Sequence, residues 1–312
     1  MARPISQGAP EGAGVVMNKV TSRPLSARAL ERRHMAIWLL PPLLWFVLFM
    51  LVPYAITVFY SFGRMDGVLF APDFSLENYR KVFFDAPYAP IILRSAWIGL
   101  LTAIFSSLLA YPVAMAMAFN LPSERARQIV YILVILPWWA SYLVKAYAWK
   151  AILGPSGLIN KGLMSAGLID EPIRIFLYND FSVVLTLTYI FTPFAVLSIY
   201  AQLERIPGSL IEAARDMGAN GFEIFRRIVL PISVPGVLAG AVITFSLGFG
   251  DFLAPALLGG SDSLMISSVV ISLLGVANDR PLAAAIGVTI IVLAALLISA
   301  VNRLEKRTQV RL

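Results

Sequence analysis

Five stretches of this chain are long enough to cross a membrane and contain no charged residue. They cover residues 35–63, 95–123, 181–203, 228–250 and 281–302. A sixth apolar stretch, residues 128–144, continues through Lys145 and Lys150 to Leu153. About 20 helical residues cross a hydrocarbon core roughly 30 Å thick, so each stretch can supply one span. The whole chain is 59% hydrophobic and 14% charged, whereas soluble domains are roughly 45–50% apolar and about 25% charged. An integral membrane protein is therefore expected.

The expected fold class is all-α, with six transmembrane helices. Backbone groups in lipid must be satisfied within helices or closed barrels, and the spans lack the alternating pattern of barrel strands. The predicted spans are residues 36–62, 91–119, 129–153, 181–201, 234–258 and 282–301. They form a predicted membrane domain over residues 36–305, between a cytoplasmic tail at 1–35 and a second one at 306–312.

The distribution of lysine and arginine predicts the orientation. Sixteen of these residues lie at the chain ends and in the second and fourth connections between spans, whereas six lie in the other three connections. Because cytoplasmic loops carry the excess of positive charge, both termini are expected in the cytoplasm. The connections at 63–90, 154–180 and 259–280 are then external. The first contains FSLENYRKVF, which is predicted as a short surface helix that either caps the bundle or docks a periplasmic protein.

Several classes of function are disfavoured by what the sequence contains. The basic residues sit at span ends and not in one patch with aromatic residues, so no nucleic-acid partner is expected. The chain has no cysteine, and its single histidine, His34, precedes the first span. A thiolate or histidine-rich metal site is therefore not expected. An intramembrane enzyme is not expected either, and so no catalytic residue, because the sequence has no HExxH motif and no second aspartate within the spans to form a dyad.

A polar segment interrupts the apolar pattern between the fourth and fifth spans and reads EAARDMGANGFEIFRRIVLP from Glu212. Ser209 is predicted to cap a helix over residues 210–217, with Glu212 in its first turn, where a carboxylate favours the positive helix end. Gly218 suits the left-handed turn that ends such a helix. A second short helix is predicted at residues 222–229. The two helices would present charged side chains to a partner in water.

This segment resembles the EAA loop of permease subunits in ABC importers. Seven residues fall on the spacing of that motif: Glu212, Ala213, Ala214, Gly218, Ile228, Leu230 and Pro231. The resemblance implies that the loop, about residues 208–231, docks on a pair of ATPase subunits, with Arg215 and Asp216 also facing that partner. The chain has no Gly-Lys dipeptide and so no Walker A loop. No cofactor is expected on this chain, and ATP and Mg²⁺ are expected on the ATPase.

Two further segments, residues 141–160 and 249–262, are similar to signatures of spermidine/putrescine permeases, in particular the first of the two paired subunits. Lys145 departs from the arginine that is common in that family. The resemblance implies a type I importer fold in the bacterial inner membrane, surrounded by lipid. It also implies a second, related permease and a periplasmic substrate-binding protein.

Asp251 is the candidate for attracting a cationic substrate, because it is an acid at membrane depth between Gly250 and Pro255, where the helix can open. Aromatic residues on other spans are candidates for cation–π contacts with alkylammonium groups: Trp138, Trp139, Tyr142, Tyr147, Trp149 and Tyr189. The alternatives are a carboxylate that caps a broken helix and an aromatic belt at the membrane interface.

The expected function is uptake of putrescine or spermidine by alternating access, with ATP hydrolysis on another subunit. Within the same class, the alternatives are import of another small organic cation, an opine or ferric iron. An ion-coupled secondary transporter is the alternative from a different class, and it would require internal repeats and several buried ion-binding residues.

Overall fold

The computed structural model describes residues 37–309, apart from Val68, Ala86, Pro122 and Ser261. The predicted tail at 1–35, which includes His34, and residues 310–312 lie outside the described residues. The chain divides into two compact units, Met1–Ala55 and Ile56–Leu312.

The first apolar helix, α1, is Ile37–Ser61 and contains a π-helical turn at Val47–Leu51. Within the first unit, residues 37–55 have exposed side chains, most of them apolar. Hydrocarbon tails are as apolar as these side chains, so such a surface is compatible with lipid.

After α1, the second unit continues with a small hairpin. Strands β1, Arg64–Asp66, and β2, Leu69–Ala71, pair antiparallel. The next helix, α2, is Glu77–Phe84, which confirms the predicted surface helix. Buried Asn78 on α2 donates hydrogen bonds to the carbonyls of Ser61 and Gly63, at 3.0 and 2.8 Å. These bonds hold α2 against the end of the first span.

The remaining helices follow in the expected order. They are α3, Tyr88–Asn120; α4, Glu124–Trp139; α5, Tyr142–Leu153; α6, Leu158–Ser165; α7, Asp180–Leu203; α8, Gly208–Asp216; α9, Gly221–Phe249; α10, Leu253–Leu258; α11, Ile266–Leu274; and α12, Arg280–Gln309. Among the described residues, five helices are long and apolar enough to cross a membrane, and a bent pair brings the number to six. The predicted all-α, six-span class is confirmed.

The third predicted span is not one straight helix. The chain turns by 91° between α4 and the segment that begins with α5. Ala140 and Ser141 have ψ angles of 137° and 138°, so two extended residues separate the helices. Pro137 lies just before this break and cannot donate a hydrogen bond to the preceding turn. The prediction of a continuous helix over 129–153 is therefore wrong at its centre.

The centre of the second unit is formed by α3, α7 and α9, which pack against one another. Small residues allow the close approach. A Cβ atom added at Gly236 on α9 would lie 2.9 Å from the carbonyl oxygen of Ser198 on α7, and one added at Gly99 on α3 would lie 3.1 Å from the amide of Phe249. Close backbone contact through small residues is typical of helices in membranes.

The fifth predicted span differs from the prediction at both ends. The helix α9 begins at Gly221 and ends at Phe249, and α10 is a separate short helix. The prediction of one span over 234–258 is corrected accordingly. Gly250 ends α9, and Asp251 lies in the break before α10, where the sequence predicted that the helix can open.

Candidate functional site

The loop between α7 and α9 has a geometry set by two successive capping motifs. At the end of α8, the amide of Gly218 donates to Arg215 at 2.9 Å, and that of Ala219 donates to Ala214 at 3.0 Å. Gly218 has a φ of +83°, which confirms the predicted left-handed turn. Together these bonds form a Schellman motif.

A capping box starts α9 directly after that turn. The side chain of Asn220 accepts from the amide of Glu223 at 2.9 Å, and the carboxylate of Glu223 accepts from the amide of Asn220 at 3.0 Å. Two hydrogen bonds at each helix end thus satisfy some of the backbone groups that a helix leaves free there. The shape of this turn therefore depends on hydrogen bonds within the loop itself.

Two predictions about the loop are wrong in detail. The N-cap of α8 is Pro207, not Ser209, because the helix begins immediately after the proline; Glu212 therefore lies in the second turn. The second short helix does not end before Pro231. A π-helical turn at Phe225–Val229 joins it to the rest of α9, and this wider turn lies where Pro231 has no amide hydrogen to donate.

The EAA residues divide between an exposed and an inner face. Glu212, Ala213, Arg215 and Asp216 are exposed, as is Leu230, whereas Ile228 and Pro231 are half-buried. Ala214 is 4% exposed and lies in one buried hydrophobic cluster with Leu203 and Ile224. Its small side chain therefore allows close packing inside the loop.

Two apolar side chains on the same loop had no place in the sequence interpretation. Met217 is 82% exposed and Phe222 is 69% exposed, on either side of the turn at Gly218. Large apolar side chains surrounded by charges are typical of protein contact surfaces. Met217 is the C-cap residue of α8, and Phe222 lies in the first turn of α9. Large apolar residues at such exposed helix ends are the signal that the sequence could have offered.

Asp251 connects the two helix breaks. One carboxylate oxygen accepts from the amide of Ala254 at 2.8 Å and thereby caps α10. The other accepts from the hydroxyl of Tyr142 at 2.5 Å. Tyr142 is the first residue of α5, directly after the bend in the third span. A single carboxylate thus links the break between α4 and α5 to the break between α9 and α10.

The other candidate aromatic residues lie in separate places. Trp149 and Tyr189 pack edge to face, with ring centroids 5.4 Å apart, and line a cavity of about 400 Å³ between α3, α4, α5 and α7. Trp138 packs on Phe194 at 4.4 Å. Trp139 is 87% exposed and Tyr147 is 52% exposed. In the described chain, the six aromatic residues therefore do not form one cluster around Asp251.

At the opposite end of α7 from the loop that joins it to α9, Arg94 forms an ion pair that the sequence did not reveal. One guanidinium nitrogen lies 2.8 Å from both carboxylate oxygens of Asp180, and Ser263 donates to the same carboxylate at 2.8 Å. These residues line an open cavity of about 810 Å³. The network joins α3, α7 and the segment before α11. Partners 86 residues apart leave no pattern in a single sequence.

A multi-span helical bundle with a polar loop between two central helices is an architecture suited to a transport permease. The family described as "Binding-protein-dependent transport system inner membrane component" matches residues 110–310, and the chain belongs to this family. It is the permease component of an ABC importer and a multi-pass inner-membrane protein.

Two relatives cover most of the chain. The spermidine/putrescine transport system permease protein PotB of Haemophilus influenzae is 34% identical over 263 residues, which are 84% of this chain and 91% of PotB. The inner membrane ABC transporter permease protein YdcU of Escherichia coli K12 is 38% identical over 280 residues, which are 85% of this chain and 88% of YdcU.

Solved structures support the fold. A bacterial ABC transporter that imports the acidic polysaccharide alginate has a chain that matches with a TM-score of 0.71 at 21% identity, covering 91% of this chain and 98% of that one. The MetNI methionine ABC transporter in inward-facing conformations matches with a TM-score of 0.56 at 16% identity, covering 70% and 95%. The chain therefore has the type I importer permease fold.

Proposed function

We propose that this permease imports polyamines such as putrescine and spermidine. The observation that carries the proposal is the likeness to PotB over most of both chains, which includes the segments around Tyr142 and Asp251. YdcU is similar over the same extent, and its name specifies no substrate. The substrate therefore has to be argued from chemistry and tested directly.

The chemistry at the two helix breaks suits an ammonium group. Asp251 is half-buried, and its two oxygens have different tasks. The oxygen bonded to Ala254 maintains the start of α10, whereas the one bonded to the Tyr142 hydroxyl can exchange this donor for an ammonium without disturbing the helix. An ammonium is the stronger partner because both groups are then charged.

The coupling loop is the proposed contact with a pair of ATPase subunits, which bind and hydrolyse ATP with Mg²⁺. The exposed face of α8 around Glu212, together with Met217 and Phe222, supplies charges and apolar anchors for that contact. We place this loop and both termini in the cytoplasm. A second, related permease completes the pore, and a periplasmic binding protein delivers substrate to the opposite face. Transport then proceeds by alternating access.

The decisive experiment measures uptake of radiolabelled putrescine and spermidine at limiting concentration by the assembled transporter. Asp251→Asn keeps an oxygen for the amide of Ala254 and removes the charge. Loss of one partner from a desolvated charge pair costs about 2–5 kcal/mol, so uptake is expected to fall by at least roughly thirtyfold. Asp251→Glu is expected to retain part of the uptake. Tyr142→Phe is the matched variant that removes the neighbouring hydroxyl and leaves the carboxylate.

Two results would contradict separate parts of the proposal. Normal uptake by the Asp251→Asn variant would mean that Asp251 only caps α10. Calorimetry showing that the transporter's binding protein does not bind polyamines would overturn the proposed substrate, but it would not affect the proposed role of the coupling loop.

A further inference from the structure

A cavity of about 520 Å³ lies between the first turns of α4 and the last turn of α7. Its lining includes Glu124, Arg127, Tyr131, Ile132, Tyr200 and Glu204. We call it the α4–α7 pocket. It is at the same end of the bundle as the coupling loop, since α8 begins at Gly208, four residues after Glu204. None of the transport steps proposed above uses it.

The α4–α7 pocket contains charges of both signs, and the contacts within the pocket pair them only in part. The hydroxyl of Tyr200 donates to one carboxylate oxygen of Glu204 at 2.9 Å, and Glu204 is exposed. A guanidinium nitrogen of Arg127 forms an ion pair with the carboxylate of Glu124 at 3.7 Å, which is too long for a direct hydrogen bond. The Nε of Arg127 is buried and has no hydrogen-bond partner among the described residues. The pocket therefore suits a ligand with both an anionic and a cationic group.

The surroundings of the α4–α7 pocket point to a lipid. Exposed apolar side chains continue along α4 from the pocket towards the membrane centre at positions i, i+3, i+4 and i+7: Ile129, Ile132, Leu133 and Leu136. This spacing forms one face of a helix. The rings of Tyr131 and Tyr200, with centroids 6.4 Å apart, stand at the polar end of that face. Tyrosine is enriched at the headgroup level of membranes.

We propose that the α4–α7 pocket binds a phospholipid whose headgroup carries a primary ammonium. Arg127 binds the phosphate through its guanidinium group, in place of the long ion pair with Glu124. Glu204 accepts a hydrogen bond from the ammonium, and an acyl chain lies along the apolar face of α4. The tyrosine rings contact the ammonium as well. The bound lipid would tie the start of α4 to the end of α7, next to the loop that contacts the ATPase.

The test uses the assembled transporter, stripped of lipid in detergent and returned to phosphatidylcholine nanodiscs with a small fraction of phosphatidylethanolamine. Native mass spectrometry then counts the phosphatidylethanolamine molecules retained. Glu204→Gln and Arg127→Gln are each expected to lower retention about fivefold, the effect of losing one partly exposed charged contact. Arg127→Lys, which keeps the charge, should retain more lipid than Arg127→Gln.

Arg125→Gln is the matched control, because it makes the same charge change on the same helix at an exposed residue outside the pocket. It should retain lipid as the unchanged protein does. Phosphatidylglycerol, which lacks an ammonium, should bind independently of Glu204→Gln. Equal retention of phosphatidylethanolamine by every variant would overturn the proposal. Displacement of this lipid by millimolar putrescine, with the same dependence on Glu204, would also overturn it and assign the pocket to a free amine.

Discussion

Replacing Gly218 by alanine isolates the backbone strain at the centre of the coupling loop. Gly218 has a φ of +83°, and a Cβ atom added there meets nothing within 4 Å, so the substitution introduces no clash. The cost comes from the left-handed conformation alone, which is about 1–2 kcal/mol for a residue with a side chain. If the loop relaxes to escape this strain, it loses the two Schellman hydrogen bonds at 2.9 and 3.0 Å.

The strained loop must be restored to its original shape when the ATPase binds, so the strain appears as weaker docking. A cost of about 1–2 kcal/mol corresponds to roughly a 5- to 30-fold increase in Kd. Biolayer interferometry with the permease pair in nanodiscs and the purified ATPase measures this Kd. Substrate-stimulated ATP hydrolysis should fall in parallel at subsaturating ATPase concentrations.

Gly221→Ala is the control for this experiment. Gly221 is also a glycine with no atom within 4 Å of an added Cβ, but its φ is not positive, and it occupies the first turn of α9. Alanine favours that helix, so docking should be unchanged or slightly tighter. The reasoning fails if the two alanine variants dock with the same Kd, because only one of them carries the strain.

Gly236→Ala should destabilise the packing of α7 against α9 by about 1–3 kcal/mol, because the new Cβ would lie 2.7 Å from the Cβ of Gln202. Gly287→Ala on α12 is the control and should leave stability unchanged, because no atom lies within 4 Å of its new Cβ. Thermal unfolding of the purified variants measures the difference, and equal melting temperatures would argue against tight packing there. For the orientation, cysteines replacing Asp73 and Lys161 should react with an impermeant maleimide in spheroplasts, whereas one replacing Asn220 should not. Labelling of the Asn220 variant would reverse the proposed topology.

The sequence predicts those parts of the fold that local chemistry decides. Charge-free windows locate the spans because each must fit a hydrocarbon core, and Gly218 is predictable because left-handed backbone after a helix favours glycine. The opening of the helix at Asp251 is predictable for a similar reason, since Gly250 and Pro255 both weaken a helix.

The bend between α4 and α5 escapes such reasoning. Pro112, Pro193 and Pro235 lie inside α-helices that continue past them, whereas the chain turns by 91° three residues after Pro137. A proline can therefore lie within a continuous helix or precede a sharp bend, and the packing of neighbouring helices decides which of the two occurs. The pairings of Tyr142 with Asp251 and of Arg94 with Asp180 depend on that packing too, so a single sequence cannot indicate them.

The uninterrupted course of α9 has a mechanical consequence. Its 29 residues run from the capping box in the coupling loop to the break that contains Asp251, a length of roughly 43 Å at 1.5 Å per residue. A tilt of about 5° applied at Gly221 would carry the far end through roughly 4 Å over that length, more than the reach of a hydrogen bond. A small rotation of α9 at its loop end is therefore enough to break the hydrogen bond between Tyr142 and Asp251.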